Sequence, residues 1–388
     1  MSAPASVLVV GASAAGLATA EALRRRGYRG ALTVLGAEPH PPYDRPPLSK
    51  QVLAGEWDAA RIRLPGPSAL TEGDVTLLLG EAAVALDVGS RTVHTAAARA
   101  LRAERIVVAT GLRARELPGQ RGIAGVHTLR TVDDALALRA ALRTAARLVV
   151  VGDGVLGAEV AATARGRGLD VTLVGPQPAP MTDRFGPEVA ARLMASHRAN
   201  GVRPRPGAEV AGLAAAGGRV SGVRLATGET LPADVVVVAV GAEPNTAWLD
   251  GSGLRVEGGL VCDAHCRAAE GVYAAGDVAR FHHRALDALV RLENRANAAE
   301  QALAVAGALL GDERPYTPVP YFWTDQFDAR VQVHGLPSAD AEVTFPEGDV
   351  AAGRFVAVYR REGVVTGVLG WNMPKQARRR RRDIGRRA

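Results

Sequence analysis

The 388-residue sequence is poor in cysteine, aromatic residues and lysine, and each shortage excludes something. It has only Cys262 and Cys266, too few to ligate an iron–sulfur cluster with four cysteines, and we expect two free thiols. Aromatic residues make up 4% of the chain, so small aliphatic side chains must fill its cores. Only Lys50 and Lys375 are lysine among 47 basic residues, and the two cations are not chemically interchangeable.

Long apolar stretches are also scarce. Only residues 1–20 form a long uncharged run, and they lack the basic start of a signal peptide. A glycine-rich motif explains that run better than a targeting segment does. We therefore expect a cytoplasmic protein of two or three domains, with no membrane partner and no metal site.

The net charge of +7 belongs entirely to one end of the chain. Residues 375–388 hold eight basic residues and one acid, so the rest of the protein is neutral overall. Such a tail either steers an acidic partner or is a solvated, frayed terminus. We expect nucleic acid binding to be unlikely for the neutral body of the protein.

Two glycine-rich turns of the kind that bind dinucleotides lie about 140 residues apart. In the first, a strand predicted over 7–10 runs into Gly11, Ser13 and Gly16, and Glu38 follows 22 residues after Gly16. The glycines permit a tight turn and close helix packing, phosphate binds at the helix N-terminus, and the acid binds ribose hydroxyls. Ser13 replaces the middle glycine, which weakens the match.

The second turn has all three glycines, Gly152, Gly154 and Gly157, with Leu156 inside the motif. Glu159 is predicted in the first turn of the helix that follows, at the same ligand-binding edge. The signal is therefore stronger here than at the first turn.

The next strand ends at Gly175, where an acid would usually bind the ribose of NAD. The first arginine after it is Arg184, so nothing adjacent would clamp the 2′-phosphate of NADP. This favours NADH over NADPH without deciding between them.

Further buried strands are predicted to end in small-residue turns. Because ligands bind outside the carboxyl ends of strands in a doubly wound sheet, we expect these endings at one edge, with Asp277 on a ligand hydroxyl. The endings are at Ala109, Thr110 and Gly111, at Gly241, and at Gly276.

The segment PYDRPPLSK, residues 42–50, carries three prolines that are expected to exclude a helix. We predict a stiff, extended loop that holds Arg45 and Lys50 in fixed positions.

Together these motifs resemble the FAD-dependent pyridine nucleotide oxidoreductases, and within them the ferredoxin reductases of the putidaredoxin-reductase or rhodocoxin-reductase type. The resemblance covers nearly the whole chain. It rests on the first glycine turn, YDRPPLSK, ATG at 109–111, GDGVLGAE, GAEPN, VYAAGDVARF, ENRANAAEQ and FWTDQF, which occur in the family's order.

The resemblance implies an α/β fold with two Rossmann-like dinucleotide-binding domains, as in glutathione reductase, and a small C-terminal α+β domain. The first glycine turn would hold FAD and the second NADH or NADPH. The implied boundaries are 1–113 and 236–312 for the FAD-binding domain, 114–235 for the NAD(P)H-binding domain, and 313–388 for the C-terminal domain with its basic tail.

The resemblance also implies residue roles. Lys50 beside the reactive edge of the flavin would pair with Glu159, where a cation stabilises negative charge as the ring accepts a hydride. Trp323 would lie near the flavin edge towards the electron acceptor, unless it packs in the core of the small domain. Further FAD-binding residues are implied at Ala15, Glu38 (adenosine ribose), Arg45 and Arg130 (phosphates), Val84, Asp277 (ribityl chain) and Arg295, close to the ring where relatives often carry an aromatic or apolar residue.

The implied function is NAD(P)H:ferredoxin reductase, passing single electrons to a [2Fe–2S] ferredoxin that serves an oxygenase such as a cytochrome P450. An NAD(P)H oxidase or disulfide reductase is a second interpretation. A reductase of that kind uses a cysteine near the flavin, but the PPLSK loop carries Ser49 and Lys50, and we expect Cys262 and Cys266 to be structural. A flavoprotein that binds nucleic acid through its basic tail is the third.

Overall fold

The structure, a computed structural model, describes residues 3–64 and 75–387. The chain divides into two compact units, each assembled from separate segments. The first unit comprises Met1–Asp44, Ile62–Arg113 and Glu243–Pro318, and the second comprises Arg45–Arg61, Ala114–Ala242 and Val319–Ala388.

Helices and strands alternate around the two glycine turns, whereas runs of consecutive strands make up much of the remaining chain. The helices of the described residues are α1 (Ala14–Arg25), α2 (Gln51–Ala54), α3 (Val132–Ala141), α4 (Val155–Gly166), α5 (Thr182–Ala199), α6 (Arg295–Leu309) and α7 (Pro374–Arg380). The strands are β1 (Ser6–Val10), β2 (Ala31–Gly36), β3 (Val75–Leu79), β4 (Ala83–Asp87), β5 (Thr92–Thr95), β6 (Ala100–Arg102), β7 (Arg105–Val108), β8 (Leu112–Ala114), β9 (Val126–His127), β10 (Arg147–Val151), β11 (Asp170–Val174), β12 (Arg203–Arg205), β13 (Val210–Ala216), β14 (Arg219–Leu225), β15 (Thr230–Pro232), β16 (Val235–Val238), β17 (Ala242–Pro244), β18 (Leu260–Cys262), β19 (Arg267–Ala269), β20 (Val272–Ala274), β21 (Ala279–His283), β22 (Ala288–Val290), β23 (Tyr321–Gln326), β24 (Ala329–Gly335), β25 (Glu342–Asp349), β26 (Arg354–Arg361) and β27 (Val364–Trp371).

The first unit is built on a six-stranded sheet in the order β19-β20-β7-β1-β2-β3. Every neighbouring pair is parallel except β19 with β20 at the edge. The four valines and leucines of β1 that follow Ser6 are all buried, as expected for a strand covered on both faces. The glycine turn after β1 therefore opens at the carboxyl edge of a doubly wound sheet, as the sequence predicts.

The second unit contains a parallel sheet in the order β12-β11-β10-β16-β9. Strand β16 pairs with β10 in this sheet, with Val238 opposite Val151. The boundary expected between 235 and 236 therefore falls inside β16, and the chain leaves the second unit only after Ala242.

That strand order corrects one expectation from the sequence. The strand endings near Gly111 and Gly276 share the first sheet, because β7 and β20 are neighbours there. The ending near Gly241 follows β16 and belongs to the other sheet. The expectation that all these endings share one edge is wrong because three buried valine-rich strands look alike in sequence, whichever sheet they join.

The C-terminal region is a five-stranded antiparallel sheet in the order β23-β24-β27-β26-β25, with α7 packed against β24 and β27. The first unit runs to Pro318 and the sheet begins at Tyr321, slightly later than the expected boundary at 313. The alternative of a frayed tail is wrong. Ala377 of α7 is fully buried, a side chain on Gly370 would collide with it, and Arg387 forms a β-bridge with Val364.

The proline-rich segment is also not the extended loop that we expected. Pro46–Ser49 forms a 3₁₀ turn, and α2 follows it directly. Proline is tolerated in the first turn of a helix, where its missing N–H group would have no intrahelical partner. Helical turns, and not an extended loop, therefore hold this segment in place.

Within 3–64 and 75–387, the helices are all too short or too polar to cross a membrane.

Candidate functional site

The first glycine turn leaves no room for larger side chains. Gly11 has a φ of 123°, and a side chain there would overlap the carbonyl oxygen of Ala109. A side chain on Gly16 would overlap the carbonyl oxygen of Gly11, so α1 passes directly against the turn. Ser13 caps α1 in extended conformation, but its side chain makes no capping hydrogen bond in the described chain. The first amides of α1 are thus donors for a phosphate group, which fits the pyrophosphate of a dinucleotide.

Other strand endings of the first sheet approach this turn. Gly276 has a φ of 79°, and a side chain on it would come within 2.8 Å of the Cβ atom of Ala15. Asp277 lies three residues beyond the end of β20 and is partly exposed. Beside the ATG motif, the Thr110 hydroxyl donates to the Asn245 carbonyl oxygen at 2.8 Å, and Gly111 has a φ of 66°.

Three further residues that were predicted to bind FAD lie in the first unit: Glu38, Arg295 and Val84. Glu38, after β2, accepts a hydrogen bond from the Tyr43 hydroxyl. Arg295, the first residue of α6, lies 2.6 Å from the Asp44 carboxylate, which compensates a cation placed at the positive end of a helix. Val84 on β4 is 50% exposed.

The second glycine turn repeats the geometry of the first. Gly152 has a φ of 114°, and a side chain there would overlap the carbonyl oxygen of Ala239. A side chain on Gly157 would overlap the carbonyl oxygen of Gly152. Gly154 is the N-cap of α4 and Leu156 lies partly exposed in its first turn. The amides at the start of α4 are available in the same way.

Glu159 in α4 is the centre of a buried polar cluster, formed with Ser49, Lys50 and Thr324, which we call the Glu159 cluster. Its carboxylate accepts the Ser49 hydroxyl at 2.5 Å and the Lys50 ammonium at 2.8 Å on Oε2, and the Thr324 hydroxyl at 2.8 Å on Oε1. Glu159 is 4% exposed. A buried charge is tolerated only when it is paired and fully hydrogen-bonded, and this carboxylate has three donors.

The cluster continues into a chain of hydrogen bonds that the sequence did not reveal. Gln326 donates from Nε2 to the Thr324 hydroxyl at 3.0 Å, and its Oε1 lies 2.8 Å from Nε2 of His197. His197 is fully buried, and that burial lowers the pKa of its ring. Thr324 and Gln326 alternate on the buried face of β23, but the polar Asp325 between them hides this alternation in the sequence.

Arg45 and Arg130 are in contact with each other. The Arg45 guanidinium donates to the carbonyl oxygen of Arg130 at 2.7 Å. The backbone N–H of Arg130 donates to Asp134, which also completes a capping box with Thr131 at the start of α3.

Trp323 is not part of the core of the C-terminal sheet. It is partly exposed on the face of β23 opposite Thr324, and its ring stacks on Tyr321 with a centroid distance of 6.0 Å. The buried tryptophan of that sheet is Trp371. The ring of Trp323 therefore remains available to a ligand or partner.

The two cysteines are inert. Both are free and buried in the core of the first unit, and burial raises the pKa of Cys262 strongly and that of Cys266 to about 12. A reactive cysteine needs a thiolate in an electropositive, accessible setting, whereas both of these thiols are buried and their pKa values are raised. Among the described residues, no cluster of histidine, cysteine and acidic side chains is arranged to hold a metal ion.

Two dinucleotide-binding glycine turns on separate parallel sheets, with a buried lysine–glutamate pair, define a flavin- and nicotinamide-dependent class of oxidoreductase. The family model described as pyridine nucleotide-disulphide oxidoreductase matches residues 5–302, and the reductase C-terminal model matches residues 321–388. The chain belongs to the pyridine nucleotide-disulphide oxidoreductase family. It is an oxidoreductase with FAD as its cofactor and NAD(P)H as co-substrate.

Named relatives are similar over most of their length. The chain is 35% identical to rhodocoxin reductase of Rhodococcus erythropolis, covering 90% of this chain and 82% of the relative. It is 34% identical to putidaredoxin reductase CamA of Pseudomonas putida, covering 96% and 90%. The structure of a covalent putidaredoxin reductase–putidaredoxin complex matches with a TM-score of 0.94 at 33% identity, covering 100% of this chain and 94% of that one.

Proposed function

We propose that the protein is an NAD(P)H:ferredoxin reductase that passes single electrons to a [2Fe–2S] ferredoxin serving an oxygenase such as a cytochrome P450. Relatives named for ferredoxins support this function, and one of them was seen bound to its putidaredoxin. Bound FAD accepts two electrons as a hydride and can return them singly, which links a nicotinamide donor to a one-electron carrier.

We assign FAD to the first glycine turn and the nicotinamide nucleotide to the second. The uncapped start of α1 and the crowded glycines beside it support a pyrophosphate there. Glu38 and Asp277 would accept hydrogen bonds from ribose and ribityl hydroxyls, and Arg45 with Arg130 would face the phosphates. These assignments follow the family resemblance, and the partners found for Glu38 and Arg45 are compatible with them.

The observation that carries the proposal is the Lys50–Glu159 pair. A lysine whose side chain is 13% exposed and is bound at 2.8 Å by a buried carboxylate is held in one position. A fixed cation stabilises negative charge that develops on a hydride acceptor, without reorganising water during the step. Lys50 therefore acts on hydride transfer, and Glu159 orients it.

We assign the partly exposed ring of Trp323 to the side from which electrons leave. Its stacking on Tyr321 holds the indole at the surface of β23. An aromatic ring at such a surface is a contact for a docking protein.

The competing functions receive less support. A disulfide reductase needs an accessible thiolate, whereas both thiols here are buried and protonated. Free thiols and the use of NAD(P)H support a cytoplasmic location. The arginine-rich tail is folded onto the C-terminal sheet, and Arg379 and Arg380 pair with Glu347, which reduces the charge it offers to nucleic acid.

An acceptor comparison tests the proposal. The FAD-loaded protein with NADH is assayed with a [2Fe–2S] ferredoxin, with oxygen and with a small disulfide, and a DNA gel shift is run in parallel. We expect ferredoxin to be reduced fastest and DNA to remain unbound. Faster turnover with the disulfide or oxygen, or salt-sensitive DNA binding without ferredoxin reduction, would overturn the proposal.

A further inference from the structure

The second glycine turn contains an acid at an unusual place. Strand β11 ends before Gly175, where a dinucleotide-binding fold usually carries the acid that binds the adenosine ribose. In the structure, the space in front of Gly175 is filled by the carboxyl group of Asp153. A side chain on Gly175 would overlap Cγ and Oδ2 of Asp153. Acids at 153 and 175 are therefore alternatives for one position.

Asp153 is held firmly. Its Oδ2 accepts the backbone N–H of Gln177 at 3.1 Å, and its Oδ1 accepts the Gln177 side-chain amide at 3.1 Å. The residue is 6% exposed and lies beside Gly175, Gln177 and Arg205. Burial raises the pKa of Asp153, while the hydrogen bonds from Gln177 oppose that effect.

We propose that Asp153 is the acceptor for the adenosine ribose hydroxyls of the nicotinamide nucleotide and that it selects NADH against NADPH. The proposal rests on the assignment of the nicotinamide nucleotide to the second glycine turn. Asp153 is the residue between the first two glycines of the motif, so its carboxyl group reaches the strand end from the turn itself. A 2′-phosphate in that place would meet a fixed, buried carboxylate, and like charges held close together repel.

The cations that could favour NADPH are engaged elsewhere. Arg205, which lies beside Gly175 and Asp153, forms an ion pair with Glu229. Arg184 lies over the ring of Phe322, 5.7 Å from its centroid. Neither guanidinium group therefore has its main interaction with a 2′-phosphate.

Four variants test the assignment: Asp153→Asn, Asp153→Gly, Gly175→Asp, and the double variant Asp153→Gly/Gly175→Asp. Binding of ADP-ribose and of 2′-phospho-ADP-ribose is measured by calorimetry on the FAD-loaded protein, and flavin reduction by NADH and NADPH is followed alongside. Asp153→Asn and Asp153→Gly should weaken ADP-ribose binding about 10- to 100-fold, the worth of one hydrogen bond to a charged group. Their preference for NADH should fall accordingly.

The double variant separates this role from general damage to the turn. Gly175→Asp alone should weaken ADP-ribose binding because the two carboxyl groups collide. Removing Asp153 as well makes room for the new acid, so the double variant should regain the preference for NADH. Arg205→Gln, the matched control at a neighbouring side chain that is paired with Glu229, should leave the preference unchanged.

The proposal is overturned if Asp153→Asn keeps the wild-type ratio of NADH to NADPH, or if Arg205→Gln changes that ratio more than Asp153→Asn does. None of these measurements involves ferredoxin. A failed ferredoxin assay with a normal response of Asp153→Asn would thus count against the proposed function alone.

Discussion

At the scale of single residues, the Glu159 carboxylate binds the Lys50 ammonium together with the hydroxyl groups of Ser49 and Thr324. Lys50 and Glu159 are 109 positions apart, and their pairing follows from the family resemblance and is confirmed at 2.8 Å. The donors from Ser49 and Thr324 were not predicted, because a single hydroxyl carries no sequence signal for a partner over 100 residues away. Asp153 was missed for a related reason. The sequence shows only that Gly175 stands where an acid is usual, whereas the structure shows the carboxyl group of Asp153 in that space.

Lys50→Met should slow hydride transfer to the flavin about 100- to 1000-fold, because one preorganised electrostatic contact is lost. FAD binding should change much less, since the cation is not assigned to the phosphates. Stopped-flow reduction by NADH and a flavin release assay measure the two effects.

Lys375→Met is the matched control, because Lys375 is the other lysine and is exposed on α7. In this variant, NADH should reduce the flavin at the wild-type rate. A wild-type rate in Lys50→Met would show that Lys50 has no part in the step.

At the scale of secondary-structure elements, the glycine turns were predicted well and the proline-rich segment poorly. Each glycine motif is a short, contiguous signal, and it is required because any side chain on Gly11 or Gly152 would overlap the carbonyl oxygen of Ala109 or Ala239. The 3₁₀ turn at Pro46–Ser49 and helix α2 depend on packing that the chain finds only in the folded state, because α2 lies against α3 and α4. Sheet membership of β16 is likewise a tertiary property that its valines do not encode.

Thr324→Val should weaken the Glu159 cluster from the side of β23. The change keeps the shape of the side chain but removes a donor to a buried carboxylate, at a cost of about 1.5–3 kcal/mol in the free energy of unfolding. Hydride transfer should also slow, because the carboxylate that orients Lys50 is less well fixed.

Thr324→Ser retains the hydroxyl and should recover most of both losses. Urea unfolding and stopped-flow reduction on the two variants provide the comparison. Equal behaviour of the valine and serine variants would mean that the hydroxyl is irrelevant to the cluster.

His334 on β24 should make the protein less stable in mild acid. It is buried beside Tyr321, neither ring nitrogen has a hydrogen-bond partner in the described chain, and burial with Arg381 and Arg378 nearby lowers its pKa to about 4. The unfolded chain binds this proton near its ordinary pKa of about 6.5, well before the folded protein does. Stability is therefore lost as the pH falls from about 6.5 to about 4, by up to about 3 kcal/mol.

Urea midpoints measured across that range, for the wild type and for His334→Phe, check this expectation. The phenylalanine variant removes the titrating group and keeps a ring against Tyr321. Its stability should fall less steeply with acid than that of the wild type. Parallel curves for the two proteins would contradict the assignment to His334.

At the scale of the whole molecule, the chain forms two compact units, each assembled from separate segments. The basic tail was the part that composition described least well, because charge alone does not reveal that α7 carries a buried residue. Ala377 and Met373 pack in a small core with Val356, Val358 and Val368. The arginines are therefore displayed from a folded element.

Removing residues 377–388 should lower the free energy of unfolding by about 2 kcal/mol, because it takes Ala377 and Ile384 from that core. The single variants Arg382→Gln and Arg386→Gln, both at exposed positions, should each change the free energy of unfolding by less than about 0.5 kcal/mol. Thermal and urea unfolding measure both, and an unchanged midpoint on truncation would show that the tail does not stabilise the sheet. Only the arginine substitutions can then test whether the tail steers ferredoxin, through the salt dependence of KM.

The account requires that the flavin of this chain accepts a hydride from NADH and then passes single electrons to a ferredoxin. A sequential stopped-flow experiment without oxygen tests it most directly: the FAD-loaded protein is first mixed with a stoichiometric amount of NADH and then with oxidised [2Fe–2S] ferredoxin. We predict that NADH bleaches the flavin, and that the ferredoxin then restores its colour while the iron–sulfur absorbance falls, in steps of one electron. A flavin that is bleached by NADH and stays reduced in the presence of ferredoxin, yet is reoxidised by a disulfide or by oxygen, would contradict the account.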